Sequence, residues 1–370
     1  MVLDSPAMRP SLKARGTLKD IAQIVGVSSA TVSNAFSRPD QLSSKLREKI
    51  LATARSLNYG GPNPAARMLS NGFARTIAVV YGPPIYHVFQ DVAASAFLSG
   101  VAEACVERRL GLLLLQCGEG YESIVQNAAV DGLIIYTMPN DAVTIQTVVA
   151  RGLPMVVVDQ SLLPNVPFVG IEDRAAARAC AQHLKDLGHQ RLGIAMLPLH
   201  ADGYTGPIDK KRLKKACFEV ARHRIRGYLD VIEPGGPEIS VKIWECPHSS
   251  EEEGRTAAEY FLKNEPRPTA ILAASDRLAL GVMEVARRHQ LRIPEDLAVV
   301  GFDDIPAAKM SAPQLTTVHQ PLEEKGRVAV AALLKENAPP RLILSTRLMV
   351  RQSSDPSILG PAQEMEIDVC

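Results

Sequence analysis

Long apolar runs are what this sequence most lacks. None approaches the length of a membrane span, and residues 1–15 carry Arg9, Lys13, Arg15 and two prolines but no apolar stretch of signal-peptide length. The chain is therefore expected in the cytoplasm, away from membranes, with Met1–Arg15 as a disordered arm. Cysteine is sparse and unpatterned. Cys105, Cys117, Cys180, Cys217, Cys246 and Cys370 show no CxxC or metal-ligand spacing and fall mostly inside apolar stretches, which suits reduced core residues of a cytosolic protein without a metal site. Catalytic signatures are missing too: no GxxxxGK[ST], GxSxG or HExxH occurs, and no cysteine–histidine arrangement stands out. Gly118-Glu119-Gly120-Tyr121-Glu122-Ser123 lies where a dinucleotide fingerprint would. It fails on chemistry, because Ser123 replaces the third glycine and Glu119 and Glu122 would repel a pyrophosphate. No enzymatic activity and no cofactor are expected, and His183, His189 and His289 read as surface residues.

What is present is an ordinary globular composition, 46% hydrophobic and 22% charged over 370 residues, enough for a sizeable core and two or three domains. The net charge of +1 hides an asymmetry. Residues 1–75 hold 11 Lys and Arg against 4 Asp and Glu, leaving 30 against 36 for the rest. A basic amino-terminal end suits phosphate contact, while the remainder is repelled by DNA.

That basic end contains the most informative stretch, Leu18–Tyr59. Leu18, Ile21, Ala22 and Val25 recur at helical spacing, Gly26 supplies a left-handed turn, and Ser28 is placed to cap a helix over Ser29–Phe36 with Val32 and Phe36 on its inner face. A third helix opens at Ser43, with Leu46, Ile50, Leu51 and Ala54 as its apolar stripe, and ends at Asn58–Tyr59. Two helices joined by a short Gly-containing turn form a helix-turn-helix, whose second helix enters the major groove.

Leu18-Lys19-Asp20-Ile21-Ala22, Gly26-Val27-Ser28 and Thr31-Val32-Ser33, followed by Leu42 through Tyr59, resemble the ordered amino-terminal pattern of the lactose-repressor and galactose-repressor family of bacterial transcription regulators. The resemblance implies a DNA-binding domain over residues 16–61 and a double-stranded DNA operator as partner. By family position Ser29, Ala30 and Asn34 face base edges, and Thr31 and Ser33 are candidates for phosphate contact; Thr17 and Ser28 complete the DNA-binding set. Asn34 can pair bidentately with adenine.

Residues 62–75 connect head and body. Asn63-Pro64-Ala65-Ala66-Arg67-Met68-Leu69-Ser70 has an N-cap residue, proline at the first helical position and Gly72 as a stop, enough for about two turns of helix. A plain linker whose leucine packs on the body would read the same way. The resemblance implies instead a hinge helix that contacts the minor groove through Asn63, Ala66 and Leu69, with Leu69 as a wedge between base pairs.

Over residues 76–352, apolar runs of strand length alternate with helical stretches. The strands expected are Ile77–Tyr81, Leu112–Gln116, Gly132–Tyr136, Met155–Asp159, Leu192–Leu197, Val241–Trp244, Ala270–Ala274 and Leu297–Phe302. Val92–Arg108, Arg174–Leu187, Arg212–Asp230, Glu251–Lys263 and Leu278–His289 have helical spacing. The fold class is α/β: an all-α helix-turn-helix head and a body of two doubly wound parallel-sheet subdomains. The resemblance implies the same periplasmic-binding-protein-like body, with the chain crossing between lobes near Ile171, Asp304 and Pro321.

Ligands of open parallel sheets bind beyond the carboxyl ends of strands, where Asp159, Ser275 and Asp303 stand. These three, with Arg224, align with effector-contacting positions of the family. Carboxylates accept hydroxyl protons and a guanidinium donates in a fork, so a sugar or sugar derivative is the effector expected, with a nucleobase, nucleoside or phosphorylated metabolite as alternatives. Each aspartate taken alone also suits a helix cap or turn, and Asp276 is read as such a cap. Sugar-binding members often carry Asn where Ser275 stands. The stretch from Leu197 to Arg224 is longer and more basic than the family pattern, and Lys210, Lys211, Arg212, Lys214 and Lys215 suit either an anionic effector or a solvated helix face. An exported solute-binding protein would share the body but would need a signal peptide and would lack the head. The expectation is a homodimeric repressor on a palindromic operator, with an activator or dual regulator, or an architectural DNA-bending protein, as alternatives. The tail, residues 353–370, holds Pro356, Gly360 and Pro361 without leucine heptads and is expected to be flexible.

Overall fold

A computed structural model describes residues 16–61, 72–82, 84–140, 142–232, 239–335, 339–358 and 360–367. The expected arm Met1–Arg15 and the segment Asn63–Ser70, with Asn63, Ala66 and Leu69, lie outside them. The chain divides into two compact units, Met1–Ala74 and Arg75–Cys370.

The first unit is helical: α1 (Leu18–Val25), α2 (Ser29–Ser37), a single 3-10 turn at Pro39–Gln41, and α3 (Ser44–Ser56). Local chemistry sets each boundary. Thr17 and Asp20 form a capping box, the Thr17 N–H donating to Asp20 Oδ2 at 2.7 Å and Thr17 Oγ1 accepting from the Asp20 N–H at 3.3 Å. Gly26 ends α1 at φ 78°, where its N–H reaches the Ala22 carbonyl at 2.9 Å. Ser28 and Ser43 cap α2 and α3 through the N–H groups of Thr31 and Leu46. Ile21, Val32, Ala35 and Ile50 meet in a fully buried core, and Phe36 lies edge-on to Tyr59.

The second unit has two lobes. In chain order the first supplies β1 (Thr76–Tyr81), α4 (Tyr86–Gln90), α5 (Val92–Arg108), β2 (Gly111–Gln116), α6 (Glu122–Asn127), β3 (Gly132–Tyr136), α7 (Ala142–Val149), β4 (Met155–Val158) and β5 (Phe168–Gly170). The second supplies α8 (Asp173–Asp186), β6 (Arg191–Met196), β7 (Gly206–Pro207), α9 (Lys210–Lys214), α10 (Glu219–Ile232), β8 (Ser240–Glu245), α11 (Glu251–Lys263), β9 (Ala270–Ala273), α12 (Asp276–Arg288), β10 (Ala298–Val300), α13 (Pro306–Met310) and β11 (Thr317–His319). The chain then returns to the first lobe for α14 (Leu322–Leu334) and β12 (Arg341–Ile343), and ends in the second with β13 (Arg347–Val350) and β14 (Gln363–Glu366).

The first-lobe sheet is parallel in the order β12-β5-β4-β3-β1-β2. Alternation sends Ile77, Val79, Ile134 and Val156 to one core and Ala78, Val80, Ile135 and Val157 to the other, so both faces are covered. The second-lobe sheet runs β10-β9-β6-β8-β7, with only β7 antiparallel, and β11-β13-β14 form a small antiparallel sheet against the same core. Helix pairs cross at glycines. A Cβ on Gly100 of α5 would collide with the Glu323 carbonyl of α14, and one on Gly326 with that of Phe97. Gly254 of α11 and Gly281 of α12 make the same reciprocal approach.

Four expectations are corrected. The chain passes between lobes at 171–173, 320–321 and 344–346, so Asp304 is not a crossing. Its carboxylate is instead held inside the second lobe by Arg351 at 2.6 Å and His319 at 3.0 Å. Arg212–Asp230 is not one helix, because the N–H of Cys217 leaves helical pairing to reach the Leu199 carbonyl at 2.8 Å. Nor do the described residues of the tail hang free. Ser353 is buried between Val299 and Thr316, and β14 pairs with β13. His183 and His189 are half-buried and meet the hydroxyls of Ser354 and Thr269, so they are not plain surface residues.

Candidate nucleic-acid interface and effector cleft

On the head, Ser29 and Ala30 are exposed at the first turn of α2, where free backbone N–H groups and the helix dipole favour a phosphate or a base edge. Thr31, Ser33 and Asn34 are half-buried. Ser28 and Thr17 are exposed, but their oxygens already serve as caps, and Ser28 Oγ lies 2.9 Å from Thr31 Oγ1. Asn34 Nδ2 donates to Gln41 Oε1 at 3.3 Å, so Gln41, not singled out in the sequence, orients the amide.

In the body, Asp159, Arg224, Ser275 and Asp303 line one cavity between the lobes. The carboxyl ends of the sheets bring them there. Asp159 follows β4 at φ 49°, and Asp303 lies beyond β10 at φ 118°, both left-handed backbone that turns the chain sharply toward the cleft. Ser275 is the N-cap of α12, accepting from the Leu278 N–H at 3.3 Å, and it also meets Ser249 Oγ at 2.9 Å. Asp276, expected to be the cap, has another role: buried, it accepts from the Ile305 N–H at 2.9 Å and from Thr317 Oγ1 at 2.5 Å. Burial raises its pKa to about 7.

Arg224 is the hub of a buried chain of ions. Its Nε donates to Asp173 Oδ1 at 2.9 Å, and Nη1 donates to the Ala274 carbonyl at 2.6 Å and to Asp303 Oδ1 at 3.4 Å. The guanidinium lies 3.6 Å above the Phe302 ring centre. Gln320, at the second passage, donates to Asp303 at 2.6 Å and accepts from Lys325 Nζ at 2.7 Å, while Lys325 also holds Asp159 Oδ2 at 2.7 Å. One hydrogen-bonded line thus joins the two lobes' carboxylates. Burial lifts the pKa of both Asp159 and Asp303, opposed by Lys325 and Arg224 respectively.

Several lining residues were not legible beforehand. Asp91 caps α5 through Oδ1, at 2.9 Å from the Ala93 N–H, and burial raises its pKa. His87 and His248 stack at 5.2 Å, and burial followed by the neighbouring His248 lowers the His87 pKa. Lys325 carries a signal in retrospect, a lysine on the apolar stripe of α14. Arg212 is removed from the basic cluster, since it pairs with Glu245 and with Asp202 at 2.9 Å; Lys210, Lys211, Lys214 and Lys215 are exposed and do not line the cavity. Among the described residues no cluster of three or more His, Cys, Asp or Glu is placed to hold a metal, and no helix is long and apolar enough to cross a membrane.

A helix-turn-helix head and a two-lobed, cleft-bearing α/β body together define a ligand-binding, DNA-binding transcription regulator. Residues 17–63 match the bacterial regulatory proteins of the lacI family, and residues 181–354 match the periplasmic binding protein-like domain. An HTH-type transcriptional regulator of Mycobacterium tuberculosis is 39% identical over 362 residues, 94% of this chain and 99% of the relative. The chain belongs to the lacI family. Two solved structures share the fold at 26% identity. The lac repressor dimer bound to operator and the anti-inducer ONPF superimposes with a TM-score of 0.73, covering 92% of this chain and 99% of that one. The CelR–cellobiose complex does so at 0.62, covering 92% and 100%.

Proposed function

We propose that the chain is a repressor that binds a two-fold operator as a homodimer and is released from it, or locked onto it, by a neutral sugar or sugar derivative in the interlobe cleft. One observation carries the effector class: Asp91, Asp159 and Asp303 line the cavity together, and Arg224 is already paired within the protein. Carboxylates accept hydroxyl protons and repel phosphate, so a polyhydroxyl ligand fits better than a phosphorylated one. The cavity encloses about 150 Å³, a volume in which a protein interior accommodates a six-membered ring. The exposed lysines of α9 lie away from it and fit a solvated helix face.

On the DNA side, Ser29, Ala30 and Asn34 contact bases and Thr31 and Ser33 contact phosphates, with Thr17 and Ser28 holding the helix ends against the backbone. Asn63, Ala66 and Leu69 keep the minor-groove role implied by the resemblance. The cleft serves binding and not catalysis, and the protein works in the cytoplasm. The solved lac repressor is a dimer on its operator and CelR holds cellobiose, which supports both halves of this reading. Operator selection from random DNA, repeated with sugars, sugar phosphates and nucleobases, tests it. A palindrome whose enrichment shifts with a neutral sugar is expected, and Arg224→Lys, which keeps the charge but loses the fork, should abolish that shift. A shift only with phosphorylated ligands would overturn the effector class, and the absence of any palindrome would overturn the dimeric repressor.

A further inference from the structure

The acids and arginines that line the effector cleft are of two kinds. Asp159, Asp303 and Arg224 are tied into the buried line, Asp159 by Lys325 at 2.7 Å, Asp303 by Gln320 at 2.6 Å and Arg224 by Asp173 at 2.9 Å. Asp91 and Arg277 stand outside it. Asp91 Oδ1 accepts from the N–H groups of Ala93 and Ala94 at 2.9 and 3.4 Å, while Oδ2 has no partner among the described residues and keeps accessible surface. Arg277 gives Nη1 to the Ser249 carbonyl at 2.7 Å, and its Nε and Nη2 are likewise uncommitted and accessible.

The two residues stand on opposite walls. Asp91 caps α5 in the first lobe, Arg277 lies in the first turn of α12 in the second, and both are half-buried. Burial raises the Asp91 pKa, and the charge of Arg277 is among the influences that oppose the rise, so each side chain lies in the other's field. The other ionisable lining residues are Tyr81 and Tyr136, whose pKa values burial raises, and His87 and His248, which stack on each other. An anion drawn to Arg277 would meet Asp91, and a cation drawn to Asp91 would meet Arg277. Hydroxyl groups escape the conflict, because they donate to a carboxylate and accept from a guanidinium.

We propose that Asp91 and Arg277 are the specificity-determining pair of the cleft, one from each lobe, and select a ligand without net charge that donates to the first and accepts from the second. On the sugar reading above, from which the pair takes its ligand class, that ligand is polyhydroxyl. Removing one member should admit the charged derivative it excluded. Asp91→Asn keeps an acceptor at the start of α5 and loses the charge, and Arg277→Gln loses the opposite one. Calorimetric titration of the full chain near neutral pH tests this with D-glucose and D-galactose, the two uronates oxidised at the sixth carbon, the two sugars aminated there, and L-serine. A neutral hexose should bind the wild type better than its charged derivatives. Asp91→Asn should raise uronate affinity relative to that hexose about tenfold or more, and Arg277→Gln should do the same for the aminated sugar. If Arg277→Gln melts early, Asp91→Asn decides. Hexose binding with relative affinities that neither substitution moves overturns the pair and leaves the sugar reading standing. Binding of L-serine alone, lost in both variants, overturns the sugar reading and upholds the pair. No binding of any probe to any of the three proteins overturns both.

Discussion

Head and body hold their polar groups in opposite ways. Among the described residues of the head no charged side chain is buried, and Thr17, Ser28 and Ser43 close helix ends at the surface. The body buries Asp173, Arg224, Asp276, Asp303, Lys325 and Arg351, each answered by partners from distant parts of the chain. A head of this kind rests on many local terms of about 1 kcal/mol. A body of this kind is more brittle, because removing one ion strands another. Equal chemical changes should therefore have unequal consequences in the two regions.

The largest effect is expected from Lys325→Met, which leaves Asp159 and Gln320 facing an apolar side chain. A loss of about 3–5 kcal/mol in the unfolding transition of the body, read by denaturant titration, is expected; a loss under 1 kcal/mol would erase the contrast. Glu219→Gln comes next. Burial opposes ionisation of Glu219, but hydrogen bonds from His223, Arg222 and Ser161 outweigh it and hold the pKa at about 2, below the unfolded 4.5. Its contribution is fully present above pH 4.5 and is lost as pH falls toward 2, so the variant should be less stable at neutral pH by on the order of 3 kcal/mol and show a flatter acid limb of Tm against pH. On the head, Asn34→Ala should change base preference at one position per half-site by roughly 1–3 kcal/mol, visible in operator selection, with Tm unmoved. Thr17→Ala should cost about 1 kcal/mol in head stability alone; a shift in the body's transition would show that the two regions are not as separate as their chemistry suggests.

The same contrast explains what could be read before the structure. Head signals are local: Gly26, Ser28 and the Leu18–Val25 spacing act within a few residues of where they stand. Parallel strands such as Gly132–Tyr136 announce themselves as apolar runs because both faces are covered. The short strands β5, β7, β11 and β12 have two or three residues, too few for any period to show, and β14 is exposed throughout. Asp304 was placed at a passage by the family resemblance, and the partners that hold it inside the second lobe, Arg351 and His319, stand too far along the chain to have corrected that reading. Asp159, Arg224, Ser275 and Asp303 came from the strand-end rule and a family resemblance. Asp91, His87, His248 and Gln320 were out of reach, since only the meeting of two lobes decides what they face, whereas Lys325 could have been noticed as a lysine on the apolar stripe of α14.

The glycine crossings of the body bear on how it can move. Where α5 meets α14 and α11 meets α12, backbone touches backbone, and a helix so seated cannot slide along its neighbour without collision. Sliding at those two crossings is opposed, and movement of one lobe against the other is left to the three strands of chain at 171–173, 320–321 and 344–346. Two of those passages carry residues of the buried ionic line, Asp173 and Gln320, so the axle of the movement and the floor of the cleft are the same few side chains.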